Sequence, residues 1–362
     1  MNRKLRLAAV VGAVALFAAA CGDAPEDDEP ATGGEPTEET TDFLGCMVTD
    51  SGGVDDRSFN ASAWLGLQNA ESELGIEADF VESNAETDFV PNVDQMVARD
   101  CGIIITVGFL LGDATAAAAT ANPEEQFAIV DFGYDPPIDN VKPLIFDTAQ
   151  AAFLAGYLAA GMTETGTVAT FGGINIPTVS IFMDGFADGI AQFNETRGED
   201  VQLLGWDKEA QNGSFTGDFQ NQANGQNLTN TFIQQGADIV LPVAGPVGLG
   251  AAAAAEAAGN VKIIWVDSDG FESASQYAPL FLTSVVKRID NAVLAATEGA
   301  VNEEFSADPY VGTLENEGVG IAPYHDFEDQ VPDELKQEIG DLRQQIIDGE
   351  LTVESPSSPV GG

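Results

Sequence analysis

Acidic side chains recur at the start of short, glycine-containing segments of this chain. Asp50 opens the stretch Asp50-Ser-Gly-Gly-Val-Asp-Asp-Arg-Ser-Phe-Asn60, and Asp131 and Asp267 open two later segments. Carboxylates are natural acceptors for hydroxyl and N–H donors, so these segments could bind a polar solute. For Asp55 and Asp56 we favour a different role, the capping of the helix that follows them.

Each of these segments follows a predicted strand, and three further polar, glycine-containing segments do the same. The six segments are 49–57, 108–113, 131–134, 172–176, 243–248 and 267–270. In open parallel sheets, ligands bind beyond the carboxyl ends of the strands. Six such segments, contributed by two lobes that face one cleft, indicate a clamshell binding protein.

The elements that carry these segments alternate between strand and helix from residue 43 onward. Short apolar runs predict strands at 43–48, 78–81, 102–107, 126–130, 144–146, 168–171, 201–204, 239–242 and 263–266. Helical periodicity predicts helices at 58–74, 92–99, 114–121, 149–161, 183–193, 221–235, 248–258 and 333–348. This alternation implies parallel sheets with right-handed crossovers, and two series of about 100 residues imply two doubly wound lobes.

The net charge of the chain limits the kinds of molecule that it can bind. The 362 residues include 13 Lys or Arg and 59 Asp or Glu, a formal net charge of −46, and one His. Such a surface repels phosphate backbones, which excludes nucleic-acid binding through a basic face and disfavours a polyphosphate ligand. We therefore expect a neutral or cationic solute. The 44% hydrophobic content, with 21 Phe, is sufficient for the cores of two domains.

The first 21 residues predict an exported lipoprotein. Three basic residues precede the apolar run 7–17, which is short for a membrane span, and Ala18-Ala-Ala then leads into Cys21. These features resemble a bacterial lipobox. We predict a signal peptide at 1–20, lipidation of Cys21, and an anchor in the cell membrane on its extracytoplasmic side. Ala18 replaces the more usual Leu, so cleavage by the ordinary secretory peptidase is the alternative.

Two segments are predicted to lie outside the folded body. Residues 22–42 contain nine acids, three Pro and no basic residue, so with Cys21 they form an acidic, disordered tether at 21–42. The last segment, 351–362, ends in Pro, Ser and Gly residues and is predicted to be a flexible tail.

Two cysteines remain in the body, Cys46 and Cys101. Both fall at predicted strands of the same lobe, in a compartment expected to be oxidising. A disulfide and a pair of buried free thiols are both compatible with this pattern.

The stretch from Asp50 to Trp64 resembles the opening signature of the basic membrane protein family, the PnrA-like receptor lipoproteins of ABC transporters. Further matches lie at 108–109, 130–131, 152–160, 185–186, 236–238, 242–245, 265–269 and 284–287, so the resemblance covers about 43–350. It implies a type I periplasmic-binding-protein fold, an α/β fold with two doubly wound parallel-sheet lobes joined by a hinge. The first lobe would comprise 43–147 plus about 279–312, and the second 148–278 plus about 313–350.

The resemblance also implies a function. Members of this family bind purine nucleosides between the lobes and deliver them to the permease subunits of the transporter. We therefore expect an extracytoplasmic solute-binding lipoprotein of an ABC importer, with no enzymatic activity, no cofactor and no metal. One alternative is the same fold binding a sugar or another small neutral polar solute. Another, from a different class, is an extracytoplasmic nucleoside-processing enzyme.

Two aromatic side chains are expected to hold the purine base, because stacking contributes about 1–3 kcal/mol per base. By the resemblance, Phe59 supplies one face. The second comes from a Gly-x-Phe segment of the other lobe, for which the sequence offers Phe215 and Phe219. We favour Phe219, because the run that follows it aligns without a gap. The family's Phe-x-Asp is here Phe219-Gln-Asn221, which leaves the base preference open.

Polar contacts to the ligand follow from the same resemblance. Asp131 would meet the edge of the base with Asn60 beside it, and Asp50 and Asp267 would accept hydrogen bonds from the ribose hydroxyls. Lys287 would bond the sugar and offset part of the carboxylate charge, which is costly to desolvate.

Gly185 and Gly245 are expected to let the backbone approach the ligand closely, with turn geometry as the alternative. Other sites are not supported. The sequence contains no phosphate loop of the Walker type, and Asp267-Ser-Asp-Gly is too short for a calcium loop. His325, near the start of the last predicted helix, is expected to be a surface or capping residue.

Overall fold

The computed structural model describes residues 42–359. The predicted signal peptide, Cys21 and the predicted tether up to residue 41 lie outside the described residues, as do residues 360–362. Within 42–359, no helix is both long enough and apolar enough to cross a membrane.

Short strands and longer helices alternate along the described chain. The strands are β1 (Leu44–Thr49), β2 (Glu77–Val81), β3 (Ile103–Val107), β4 (Phe127–Val130), β5 (Val141–Phe146), β6 (Thr167–Gly172), β7 (Gln202–Leu204), β8 (Trp206–Asp207), β9 (Asn212–Gly213), β10 (Ile239–Val243), β11 (Lys262–Asp267), β12 (Phe281–Lys287), β13 (Tyr310–Gly312) and β14 (Val319–Ile321). The helices are α1 (Phe59–Leu74), α2 (Phe89–Val97), α3 (Gly112–Ala121), α4 (Thr148–Met162), α5 (Pro177–Arg197), α6 (Gln222–Gln234), α7 (Val247–Ala258), α8 (Gly270–Ser273), α9 (Ile289–Val301) and α10 (Asp333–Ile347).

Most of these strands form two six-stranded sheets. Sheet 1 has the order β13-β5-β4-β3-β1-β2, and sheet 2 has the order β14-β12-β11-β10-β6-β7. All neighbours are parallel except β14, which runs antiparallel to β12. The two orders correspond strand for strand. The prediction of an α/β protein with two doubly wound parallel sheets is confirmed.

The central strands are continuous apolar runs, and this is why they could be predicted. β3 and β10 are buried at every position, as expected for strands that helices cover on both faces. Apolar and polar residues do not alternate along a strand of this kind, so the strand is identified by its length and by the polar segments that flank it.

The predicted boundary between the lobes differs from the observed strand pairing. The sequence analysis placed about 279–312 in the first lobe, but β12 pairs with β11 in sheet 2. The chain returns to sheet 1 only after Lys287, where α9 packs on α1 so closely that a Cβ on Gly66 would lie 2.4 Å from the carbonyl oxygen of Asp290. An apolar run indicates a buried strand, but it does not indicate which of two similar sheets the strand joins. The strands β12, β13 and β14 and the helix α9 were not predicted.

The described part of the predicted flexible tail lies against the body. Val353 is buried, and the hydroxyl of Ser355 donates to Asp184 Oδ2 at 2.6 Å. The hydroxyl of Ser358 donates to Asp147 Oδ1 at 3.1 Å. Two serines that look like linker residues in the sequence therefore donate hydrogen bonds to carboxylates of the folded body. The flexibility of 351–362 stays a prediction.

Cys46 and Cys101 form a disulfide, with their Cα atoms 5.9 Å apart. Cys46 lies in β1, and Cys101 lies two residues before β3, the neighbouring strand. Of the two alternatives that the sequence left open, the structure contains the disulfide.

Candidate ligand-binding site

A cavity lies between the carboxyl ends of the two sheets and encloses about 580 Å³, counted to its open mouth. Its walls come from the segments that follow β1, β3, β4, β6, β9, β10 and β11, and from the end of β12. The lining residues are Asp50, Ser51, Asp56, Phe59, Asn60, Gly108, Phe109, Leu110, Asp131, Ile176, Thr178, Val179, Phe182, Phe219, Val243, Ala244, Gly245, Pro246, Val266, Asp267 and Lys287. All six segments that the sequence analysis identified contribute to it.

The ammonium group of Lys287 lies at the centre of the polar contacts. Lys287 Nζ donates to Asp131 Oδ2 at 2.5 Å and lies 3.7 Å from Asp267 Oδ1. The side chain is only 2% exposed, and Nζ also lies 4.9 Å from the ring centroid of Phe59. A buried ammonium group needs such anionic partners, because the desolvation of an unpaired charge is costly. The pair joins sheet 1, which carries Asp131, to sheet 2, which carries Lys287.

Asp131 and Asp267 share an unusual backbone conformation. Both have φ of 65°, in the left-handed region that residues with a side chain rarely adopt. Each lies at the carboxyl end of the strand in the third position of its sheet order, β4 in sheet 1 and β11 in sheet 2. Such conformations cost about 1–3 kcal/mol and concentrate at functional sites.

Asn60 and Asp50 form a second polar group on the sheet 1 side. Asn60 Nδ2 donates to Asp50 Oδ1 at 2.9 Å, and Asn60 Oδ1 has no hydrogen-bond partner among the described residues. Gly108 makes room for this pair, since a Cβ at that position would lie 2.4 Å from Asp50 Oδ2. Asn60 lines the cavity, and its Oδ1 is a buried acceptor without a partner among the described residues.

Asp56 fastens the start of α1, which confirms the capping role favoured from the sequence. Its two carboxylate oxygens accept hydrogen bonds from the backbone N–H groups of Ser58, Asn60 and Ala61 at 2.7–3.0 Å. These bonds satisfy amide groups that have no partner within the helix. Asp56 thereby fixes the direction in which Phe59 and Asn60 leave the backbone. Asp55, in contrast, is exposed.

Burial changes the ionisation of these carboxyl groups. Burial raises the pKa of Asp50 from its ordinary value of 3.8 to about 8, and nearby Asp56, Asp131 and Asp267 add to the effect. Burial also raises the pKa of Asp56 to about 6, although three backbone N–H groups oppose the change. The pKa of Asp131 is raised by burial, against the attraction of Lys287. A raised pKa means that Asp50 keeps its proton to a higher pH than an ordinary carboxyl group, and a protonated carboxyl group can donate a hydrogen bond.

Aromatic side chains form the apolar walls. Phe59 and Phe219 both line the cavity, together with Phe109 and Phe182. Phe215 does not. Its ring packs edge-on against Trp206, with the ring centroids 6.1 Å apart. Of the two Gly-x-Phe segments that the sequence offered, the structure therefore brings the second one to the cavity.

The two glycines named from the sequence have different places. Gly245 lines the cavity with φ of 52°, a conformation that favours glycine. Gly185 lies within α5 and does not line the cavity. A Cβ on Gly185 would lie 2.2 Å from the carbonyl oxygen of Ala149, so the glycine permits close packing of α5 on α4. The expectation that Gly185 contacts the ligand has no support in this geometry.

Several lining residues were not named from the sequence. Phe109 and Ile176 fall inside two of the polar segments, so the position of those segments was an available signal. The sequence offered no such signal for Phe182, because it lies in α5 among apolar residues spaced as they are in a helix that packs into a core.

His325 lies outside the cavity, and its side chain contacts Asp269 and Phe271. Its Nε2 lies 2.7 Å from Asp269 Oδ2, and its ring stacks on Phe271 with the centroids 4.0 Å apart. It contacts no residue that lines the cavity through either interaction. Within 42–359, no group of three or more His, Cys, Asp or Glu side chains is arranged to hold a metal ion.

Comparison with known proteins gives the family. Residues 43–357 match the model of the PnrA-like ABC transporter substrate-binding proteins, the Bmp family. This chain belongs to that family. The match spans every element described above, and it includes the two sheets, the cavity and the segment 351–357.

Relatives of this PnrA-like protein are similar over most of their length. A CD4+ T-cell-stimulating antigen of Listeria monocytogenes is 29% identical over 361 residues, which cover 94% of each chain. The nucleoside-binding protein BmpA of an ABC transporter of Lactococcus lactis is 29% identical over 334 residues, 87% of this chain and 90% of the relative. An uncharacterized lipoprotein of Pyrococcus abyssi is 28% identical, with 83% and 77% covered.

Solved structures establish the fold of the PnrA-like protein. An ABC transporter solute-binding protein of Aeropyrum pernix superposes with a TM-score of 0.79 at 24% identity, covering 87% of this chain and 94% of that one. One from Conexibacter woesei superposes with a TM-score of 0.68 at 20% identity, covering 87% and 100%. The predicted type I periplasmic-binding-protein fold is confirmed. At this identity the likeness concerns the fold alone.

Proposed function

We propose that this substrate-binding protein is the receptor of an ABC importer for a purine nucleoside. The observation that carries the proposal is the composition of one cavity. Phe59 and Phe219 line it from the segments of different sheets, while Asn60, Asp131 and Asp267 line it with hydrogen-bond acceptors. A nucleoside has a flat base for the aromatic faces and N–H and hydroxyl donors for the acceptors.

The charges in the cavity favour a neutral solute. Four carboxyl groups and one ammonium group line it, and the ammonium group already bonds Asp131. An anionic solute would meet uncompensated carboxylates and would find no free cation among the lining residues. The raised pKa of Asp50 lowers the negative charge that the cavity would otherwise carry.

The individual contacts are proposed as follows. Asp131 and Asn60 accept from the edge of the base, with the unpartnered Asn60 Oδ1 as one acceptor. Asp267 and Asp50 contact the ribose hydroxyls, and Lys287 bonds the sugar while it neutralises Asp131. The name of the Lactococcus lactis relative, a nucleoside-binding protein, supports a nucleoside as the ligand.

Transport requires two further features, which are also part of the proposal. Lipidation of Cys21 anchors the protein on the extracytoplasmic side of the cell membrane, and the tether at 21–42 spaces the body from it. The name of the Pyrococcus abyssi relative, a lipoprotein, supports the anchor. The body then passes its solute to the permease subunits without chemical change, so we propose no catalytic role.

Two measurements test the ligand. Mass spectrometry of small molecules released by denaturation of the purified protein should identify a nucleoside. Calorimetric titration of the unloaded protein should show binding of inosine, guanosine or adenosine, with ribose and myo-inositol as controls for a sugar receptor. A flat titration with all three nucleosides at millimolar concentration would refute the purine assignment. Recovery of free base and ribose after incubation would instead indicate an enzyme.

A further inference from the structure

The segment that precedes α1 contacts sheet 2 directly. The hydroxyl of Ser58 lies 2.8 Å from Asp267 Oδ2 and 3.2 Å from the carbonyl oxygen of Val266. Ser58 is fully buried, and it follows β1 of sheet 1, whereas both of its partners lie in β11 of sheet 2. This hydroxyl therefore bonds a residue that lines the cavity from the opposite sheet.

Arg57 adds three contacts to β11 and to the segment that follows it. Its carbonyl oxygen lies 3.2 Å from the indole Nε1 of Trp265 and 3.0 Å from the hydroxyl of Ser268. Its guanidinium Nη1 donates to the carbonyl oxygen of Ser273 at 3.3 Å. Arg57 has φ of 63°, a costly conformation for a residue with a side chain. The positive φ turns the carbonyl group toward two donors on the other sheet.

The groups that make these contacts are held in place by sheet 1 residues, whereas their partners belong to the sheet 2 side. Asp56 already holds the backbone N–H groups of Ser58 and Asn60, so the segment has a fixed shape within its own half of the molecule. The partners on β11 lie in the other half. Separation of the two halves would break every contact that Arg57 and Ser58 make with residues 265–273, including the bond between the Ser58 hydroxyl and the carboxylate of Asp267.

We infer that Ser58 is a positioning residue for Asp267, and that Arg57 and Ser58 together latch the two halves in the closed state. The inference rests on the proposed function in one respect, the contact of Asp267 with the solute. The latch couples two events. Closure supplies the hydroxyl that orients Asp267, and an oriented Asp267 can then bond the solute. Loss of the hydroxyl should shorten the lifetime of the closed complex while leaving the encounter with the solute unchanged.

The indole of Trp265 provides a direct readout of this latch. The chain contains three Trp residues, so ¹⁵N-indole labelling gives three resolved probes. Trp265 Nε1–H reports the contact with Arg57, and Trp206 Nε1–H, which donates to Asp184 at 2.9 Å within the sheet 2 half, serves as the internal reference. In the wild-type protein, hydrogen exchange of the Trp265 indole should be slower than in the Ser58→Ala variant, both with and without added guanosine. Exchange of the Trp206 indole should be equal in the two proteins.

Stopped-flow kinetics with guanosine tests the functional consequence. Ser58→Ala should raise the dissociation rate about tenfold, equivalent to about 1.4 kcal/mol, and leave the association rate within about twofold. Ser62→Ala is the matched control, because Ser62 is also buried but its hydroxyl donates to the carbonyl oxygen of Ser58 at 2.7 Å, a contact that does not reach sheet 2. Ser268→Ala should act in the direction of Ser58→Ala, and Ser72→Ala, whose hydroxyl bonds its own helix, should not.

The outcomes separate the latch from the proposed ligand. If guanosine binds and Ser58→Ala dissociates at the wild-type rate, the latch is wrong and the nucleoside assignment stands. If neither guanosine nor the other nucleosides bind the wild-type protein, the assignment fails, and the exchange of the Trp265 indole in the ligand-free proteins decides alone. Equal exchange in wild type and Ser58→Ala would then overturn the latch, and slower exchange in the wild type would support it.

Discussion

Asp131 and Asp267 occupy corresponding positions in the two sheets, and both carboxylates face the same ammonium group. Each ends the third strand of its sheet order with φ of 65°, and their oxygens lie 2.5 Å and 3.7 Å from Lys287 Nζ. The internal correspondence of the two halves thus places one acidic residue from each half at the middle of the cleft. The two carboxylates share one ammonium group, because the halves meet around it.

The first prediction concerns the buried pair of Asp131 and Lys287. Asp131→Asn should weaken nucleoside binding about 10- to 100-fold, since a charge-assisted hydrogen bond is lost. The same change leaves a buried ammonium group with one distant partner, Asp267. We therefore expect the free energy of unfolding to fall by about 2–4 kcal/mol. Urea unfolding and calorimetric titration measure the two effects separately.

The double variant Asp131→Asn with Lys287→Met distinguishes the two roles of this pair. An apolar side chain of similar length removes the uncompensated charge, so the stability should return to within about 1 kcal/mol of the wild type. The affinity should not recover. If the single variant binds nucleoside as tightly as the wild type, the assignment of Asp131 to the base edge is wrong.

The second prediction uses the two Gly-x-Phe phenylalanines as a matched pair. Phe219 lines the cavity, whereas Phe215 packs on Trp206. Phe219→Ala should weaken nucleoside binding about 5- to 150-fold, because one stacking face is removed. Phe215→Ala should leave the affinity within about threefold and should lower the melting temperature, because its ring fills space beside Gly172. The reverse pattern in calorimetry and thermal unfolding would contradict the choice of Phe219.

Sequence reasoning succeeded where the local pattern determines the structure. The apolar runs of β3 and β10 and the polar segments after the strands located both sheets and the edge at which the cavity lies. It failed where the outcome depends on contacts between distant elements. Nothing in the run of β12 specifies sheet 2, and the apolar spacing around Phe182 does not distinguish a wall of the cavity from a core position. Gly185 shows the same limit, because a glycine in a family motif can serve either a ligand or a neighbouring helix.

The third prediction concerns Gly185 in its observed place between α4 and α5. A Cβ there would meet the carbonyl group of Ala149 at 2.2 Å, and backbone atoms of two packed helices cannot move apart cheaply. Gly185→Ala should lower the free energy of unfolding by about 1–3 kcal/mol. The remaining folded protein should bind nucleoside with an affinity close to that of the wild type.

A second glycine controls for the change of residue type. Gly340 lies in α10 and is exposed. A Cβ added there would lie more than 4 Å from the side chain of every described residue other than its two chain neighbours. Gly340→Ala should therefore stabilise the protein by about 0.5–1 kcal/mol, the usual gain of alanine over glycine in a helix. A decrease in affinity for Gly185→Ala that exceeds its decrease in stability would restore Gly185 to the ligand site.

The fourth prediction follows from the raised pKa of Asp50. Its pKa is about 8 in the folded protein and near 3.8 when the chain is unfolded, so between these values the folded state holds a proton that the unfolded state has lost. The contribution of Asp50 to stability is therefore fully present below about pH 4 and is lost as the pH rises toward 8. The slope is at most about 1.4 kcal/mol per pH unit. Asp56, with a pKa of about 6, lowers the stability in the same direction as the pH rises, but its contribution to the slope ends above about pH 6.

Asp50→Asn isolates this effect, because the amide keeps an oxygen that can accept from Asn60 Nδ2 and cannot ionise. Urea unfolding at several pH values between about 5 and 9 should show that the wild type loses stability relative to the variant until about pH 8, and that the difference is constant above it. The comparison cancels the titration of the many surface acids, which both proteins share. A difference that does not change with pH would mean that Asp50 is ionised in the folded protein. In that case the cavity would carry more negative charge than a neutral solute can accommodate.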